Sequence, residues 1–199
     1  MYPVHKKAAH PFRGFTVTEL MISLSILAIL LSVGVPSFSV WLQNRQIQSV
    51  AGSIVDGMHL ARSKAIERNT SVNFVLTALP GSAWTIKCPS TTNNCSTGDT
   101  STSYIEKSPT SEGGSNVVVT TVNATLSNPP TFTFNGLGQL TSPTPPGGNL
   151  PIFTLTAPKA GSCVASGGSA RCLNIIVTAS GKVRACDPSL PSSNLKACT

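Results

Sequence analysis

Glu19 stands at the edge of a run, Leu20 to Asn44, that holds no ionisable side chain. Such a run is long enough to cross a bilayer, so the placement of an acid beside it asks for a reason. Two are open. A carboxylate in the first turn of a helix is favoured by the partial positive charge of the helix N-terminus. Alternatively, a cut after Gly14 makes Phe15 a new first residue with a charged α-amine, about one helical turn before Glu19. In a stack of such helices the acid pairs with the amine of a neighbour, and an unmatched charge in apolar surroundings is costly. That requirement would set the register between subunits.

Other reactive side chains are sparse. Of three histidines, His5 and His10 precede the apolar run, and His59 falls in a helical stretch without a ligand partner. There is no H-E-x-x-H, no G-x-S-x-G and no P-loop, and the carboxylates after residue 70 are scattered. No enzyme, no cofactor and no metal site is therefore expected. The six cysteines all lie beyond the apolar run and show no C-x-x-C, which argues against zinc or redox motifs. Disulfides in an oxidising compartment fit better. Nearest-neighbour pairing is expected: Cys88–Cys95, Cys163–Cys172 and Cys186–Cys198.

The formal net charge is +7, and its distribution is uneven. Lys6, Lys7 and Arg13 precede the apolar run with no acid among them. At the other end Lys159, Arg171, Lys182, Arg184 and Lys196 stand against Asp187 alone. A basic tail of this kind can meet an anionic partner or remain a solvated surface.

These residues need elements to hold them. Residues 1–14 read as a basic leader on the cytoplasmic side, 15–42 as a transmembrane helix and 43–70 as its amphipathic continuation. In the latter, Ile47, Val50, Ala51, Ile54, Met58, Ala61, Ala65 and Ile66 recur at steps of mostly three and four, marking one apolar stripe. Arg45, Gln48, Asp56, Arg62 and Arg68 are left to face elsewhere. Pro36 inside the helix predicts a kink or a loosened turn. From residue 71 to 199 the period shifts towards two. Strands are expected at 71–79, 83–86, 116–122, 131–135, 151–157, 172–179 and 182–186, the last after a Ser180–Gly181 turn. On a strand, Lys182 and Arg184 share one face and Val183 takes the other.

The basic leader ending in Gly14, followed by Phe15-Thr16-Val17-Thr18-Glu19-Leu20 and an apolar run, resembles the class III signal of type IV pilins and of the pseudopilins of type II secretion. Ala61-Arg62-Ser63-Lys64-Ala65-Ile66-Glu67-Arg68 is similar to the A-R-S-E-A-I-x-R motif of the GspH/FimT family, with Lys64 where an acid is usual. TFTFNGLGQL (131–140) and SGKVRAC (180–186) also resemble that family's β-rich domain, while 88–115 and 141–150 look like variable loops. The resemblance implies an α+β, type IV pilin-like fold, with a long N-terminal helix, its first half transmembrane, packed on a C-terminal antiparallel β-sheet domain. It implies cleavage between Gly14 and Phe15 by the prepilin peptidase, N-methylation of Phe15, and assembly through Glu19. The protein would sit in the bacterial inner membrane as a single-pass subunit with a periplasmic C-terminal domain, then in a pilus or pseudopilus beside other pilin subunits.

Three functions follow. In a FimT-like minor pilin, Gly181-Lys182-Val183-Arg184 is similar to a basic G-R-x-R element, and this implies non-specific DNA binding for uptake in natural transformation through Lys182 and Arg184, joined by Arg171 and Lys196. With no aromatic residue after Phe153, base stacking is not expected there. The second is a structural minor pilin or a GspH-type minor pseudopilin, meeting other pilin helices through the stripe from Ile47 to Ile66 and binding no DNA. The third, a signal-anchored periplasmic enzyme, requires an uncut Gly14–Phe15 bond.

Overall fold

A computed structural model describes residues 14–77, 81–89, 104–108, 116–121, 127, 129–143 and 150–198, with the side chains of 33–37 and 150–152 outside that description. The chain divides into two compact units, Met1–Phe38 and Ser39–Thr199. One helix, α1, spans Val17–Glu67.

The described part of the first unit is the start of α1. Thr16 caps it: its Oγ1 accepts from the Glu19 backbone N–H at 3.3 Å, and its carbonyl accepts from Leu20 N–H. Thr16 and Glu19 thus stand at the first and last positions of a T-x-x-E capping sequence. The large apolar side chains that follow, among them Leu20, Met21, Ile22, Leu24, Leu27 and Leu30, are exposed. The hydroxyls of Ser23, Ser25 and Ser32 turn back onto the carbonyls of Glu19, Met21 and Ile29, so these polar groups need no outside partner. Among the described residues no helix is long and apolar enough to cross a membrane; the described side chains of the apolar run stop at residue 32 and resume at 38. Helical backbone continues through Pro36, whose side chain lies outside the described residues, as do residues 1–13.

In the second unit, the end of α1 packs on two antiparallel sheets. The first takes β1 (Val72–Leu76), β2 (Trp84–Lys87), β3 (Tyr104–Lys107), β5 (Thr131–Phe134) and β6 (Leu140–Ser142) in the order β3-β2-β1-β5-β6. The second takes β4 (Val118–Thr121), β7 (Leu150–Thr156), β8 (Leu173–Val177) and β9 (Val183–Cys186) in the order β4-β7-β8-β9. All strand pairs are antiparallel. Seven strands fall where alternation predicts them. β3 and β6 arise instead in stretches that read as loops, because they are short edge strands whose pairing comes from a neighbour and not from their own pattern.

The stripe on α1 is consumed inside this unit. Ile47, Val50, Ala51, Ile54, Met58, Ala61 and Ala65 are all buried in a core shared with β1, β2, β5, β7 and β8. The expectation that this stripe meets other pilin helices is therefore overturned: its own sheets cover it. Ile66 leaves the stripe and is 49% exposed. Aromatic rings connect the sheets, with Phe74 to Trp84 at 5.6 Å, Phe74 to Phe132 at 6.4 Å, and Phe132 to Phe153 edge-on at 5.4 Å. α1 approaches them closely because Gly57 has no side chain; a Cβ there would lie 2.7 Å from the Trp84 ring. Trp84 Nε1–H also donates to Ser53 Oγ on α1 at 3.1 Å.

α1 ends in a Schellman motif. Thr70 N–H donates to the Ala65 carbonyl and Asn69 N–H to that of Ile66, with Asn69 at a φ of 46°. Disulfides join Cys163 to Cys172 and Cys186 to Cys198. Cys88 is also disulfide-bonded, while its expected partner Cys95 lies outside the described residues.

Candidate functional site

The three stretches singled out after the apolar run, Ala61 to Ile66, TFTFNGLGQL and SGKVRAC, converge on one carbonyl. Arg62 Nε–H donates to the Gly138 oxygen at 2.9 Å. Arg62 therefore turns inward, half-buried, and does not face elsewhere as expected from the stripe. Gly138 sits in the β5–β6 turn, where the Asn135 side chain accepts from the N–H groups of Leu137 and Gln139. From the other side comes the β8–β9 turn. A Cβ on Gly181 would lie 2.0 Å from the Gly138 oxygen, and Leu140 N–H donates to the Ala179 carbonyl at 3.0 Å. Gly138 and Gly181 have φ values of 75° and 76°, and both turns need that freedom. Helix and both sheets are pinned at this point, which fixes the hairpin that carries the basic pair.

That hairpin is a three-residue loop with a glycine bulge. Gly181 N–H donates to the Thr178 carbonyl and Thr178 N–H to that of Lys182. Val183 is buried and Lys182 exposed. Arg184 is half-buried, and its Nη1 donates to the Ala197 carbonyl at 3.4 Å. The second arginine-like position of the basic element is thus engaged with the tail, which the Cys186–Cys198 bond holds against β9.

Two of the four cations proposed for DNA share a groove that the other two do not line. Arg171 and Lys196, both exposed, line a groove of about 490 Å³ between α1 and the β8, β9 and tail segments; Lys182 and Arg184 do not line it. Arg171 is tied to α1 through its backbone N–H, which donates to Asn44 Oδ1 at 2.9 Å. Asp187 is the acid of this region. It is nearly buried, and its Oδ1 accepts from the N–H and hydroxyl of Ser189. Sequence reasoning placed Arg171 and Lys196 with Lys182 by charge and proximity in the chain. It missed the groove because Gln48, Ala51 and Gly52 supply one wall from a helix far away in sequence.

Gly14, Phe15 and Glu19 are exposed at the start of the described chain. Glu67, at the other end of α1, forms an exposed ion pair with Lys64 at 2.8 Å, and the hydrogen bond and charge of Lys64 hold its carboxyl below the ordinary value. The basic side chain at position 64 thus finds an acid one turn on.

Comparison with known proteins adds two family matches. The model for type II transport protein GspH matches residues 50–181, and the prokaryotic N-terminal methylation motif matches residues 10–35. Two crystal forms of the Pseudomonas aeruginosa (strain PAO1) type IV minor pilin FimU are similar to this chain at 15% identity. One covers 76% of this chain and 99% of its own with a TM-score of 0.46, the other 80% and 99% with a TM-score of 0.49. No curated protein matches.

Proposed function

Since the chain belongs to the GspH family of type II transport proteins, we propose that it works as a minor pilin or minor pseudopilin, a structural subunit and not an enzyme. The observation that carries this reading is the presence of the methylation motif at 10–35 ahead of the GspH match at 50–181. The prepilin peptidase cuts between Gly14 and Phe15, Phe15 is N-methylated, and Glu19 pairs with the terminus of a neighbouring subunit. Residues 15–42 lie in the inner membrane before assembly, as a single pass with the C-terminal domain in the periplasm, and in a filament core afterwards. Exposed apolar side chains and self-satisfied serine hydroxyls in the described part of that stretch support both settings. Mass spectrometry of the protein from membranes tests it: a chain beginning with N-methylated Phe15 is expected, and an intact Gly14–Phe15 bond would overturn the reading.

A finer reading adds duplex DNA as a ligand, bound without sequence preference for uptake in transformation. Lys182 and Arg184 carry it, with Arg171 and Lys196 flanking. Support comes from the exposure of three of these cations and from the near-burial of Asp187, the acid closest to them in sequence. The engagement of Arg184 with Ala197 bears against it. In a gel shift with the full chain in detergent, binding at low salt should weaken steeply as salt rises and vanish in Lys182→Ala with Arg184→Ala. A methylated protein that shifts no DNA would leave the GspH-type pseudopilin, or a structural pilin, as the function.

A further inference from the structure

The groove that collects Arg171 and Lys196 has a wall of unusual make. Gly52 lines it from the middle of α1. Glycine inside a helix costs about 0.5–1 kcal/mol relative to alanine, and so it normally answers a need for close approach. Gly57 meets such a need, with the Trp84 and Phe74 rings at 2.7 and 2.9 Å from a would-be Cβ. Gly52 does not, because nothing lies within 4 Å of where its Cβ would be. No neighbouring atom requires glycine at this position, and the groove beside it is open.

Opposite Gly52 runs the edge of a sheet. β9 is the last strand of its sheet. The Thr178 N–H bond to the Lys182 carbonyl sets the alternation of the β8–β9 ladder. By that alternation the hydrogen-bonded pairs beyond it are Ile176 with Arg184 and Asn174 with Cys186. Val183 and Ala185 then direct their backbone N–H and C=O away from β8. Asp187 lies two residues further on the same edge, and its N–H is already taken by the Lys196 carbonyl. The tail meets this edge in a single isolated bridge, Asp187 with Ala197, and Ala185, which is exposed and lines the groove, is not part of it.

We propose that this groove receives an extended, acidic segment of a neighbouring filament subunit, which adds to the β9 edge at Ala185 and places its carboxylates by Arg171 and Lys196. An open strand edge is a template for a second chain, and Val55, Leu173 and Leu190 offer apolar surface for alternate side chains. Charge selects the occupant. Two cations line the groove against one acid, Asp187, which is nearly buried and whose Oδ1 accepts from Ser189, so the exposed charge there is basic. Apolar surface and strand edge favour a polypeptide over nucleic acid, whose phosphates would use the cations alone. The inference rests on the reading of this chain as a filament subunit.

The test uses the full chain in detergent and a dye-labelled hexapeptide of alternating valine and threonine that ends in two glutamates. Fluorescence anisotropy should report binding, and the Ala185 amide should exchange more slowly when the peptide is present. Ending the peptide in two lysines should abolish binding. Arg171→Ala with Lys196→Ala, and separately Gly52→Phe, should each weaken it about tenfold or more, the change expected for about 1.4 kcal/mol. Gly52→Phe fills the groove from a position with free space, and an unchanged thermal transition verifies its fold. No binding, equal binding of the acidic and basic peptides, or indifference to Gly52→Phe would overturn the proposal. So would protection of the same amide by duplex DNA, lost in the same variants. The mature N-terminus of the same preparation separates the two readings. Methylated Phe15 without peptide binding sinks the groove alone, and an uncut leader sinks the filament reading.

Discussion

The two halves of α1 use similar residues to opposite ends. From Leu20 to Leu31 large apolar side chains are exposed in the first unit, whereas from Ile47 to Ala65 the apolar positions are buried in the core of the second. Among the described residues the early half exposes its large apolar side chains, and no described strand covers them. The later half confines its apolar residues to one stripe and covers them itself. An apolar helical stretch is thus no guide to its partner until the width of its apolar surface is known.

The largest test of that contrast is truncation. Ile54→Ala should destabilise the second unit by about 2–5 kcal/mol, as for a buried aliphatic residue. Leu27→Ala should leave its unfolding transition within about 0.5 kcal/mol while reducing incorporation into filaments. Equal effects in thermal melts would erase the distinction. Arg62→Ala should cost about 1.5–3 kcal/mol by removing a charge-assisted bond to a carbonyl and should loosen the β8–β9 hairpin, seen as faster amide exchange at Lys182 and Leu140. Gly57→Ala should cost about 1–3 kcal/mol through the clash with Trp84 and Phe74. Gly52→Ala, five residues earlier, should instead stabilise by about 0.5–1 kcal/mol, a difference of sign that chemical denaturation can read.

The smallest effect belongs to Glu67. Its carboxyl is held below the ordinary value by Lys64, so the folded chain binds its proton less readily than the unfolded one. The pair's contribution is complete above the ordinary carboxylate value and is lost as pH falls through the lowered one. Because Glu67 is exposed, salt should nearly remove the difference between wild type and Lys64→Ala across that window.

Much of the architecture is readable from local pattern. The step of three and four from Ile47 to Ala65 marks the buried stripe, and alternation marks seven strands, because both periods record which side chains must leave water. β3 and β6 are not readable, since Tyr104–Lys107 and Leu140–Ser142 are mostly exposed and gain their order from Lys87 and Thr133 across the ladder. The basic residues show the same limit. Alternation separates Lys182 and Arg184 from Val183, but nothing in their spacing predicts that Arg184 reaches Ala197 or that Arg171 and Lys196 share a groove with Gly52.

By itself the amino-acid sequence determined the order of parts: a basic first stretch, an apolar run with Glu19 at its edge, an amphipathic continuation, and a β-rich, cysteine-containing domain. Composition and period suffice for that, because each acts over a few neighbouring residues. Tertiary structure alone decided that the stripe is covered by two sheets, that Arg62, Gly138 and Gly181 meet at one carbonyl, and that Gly52 faces open space while Gly57 faces rings. Those outcomes depend on which distant segments touch, and contact between segments far apart in a chain leaves no period in either of them.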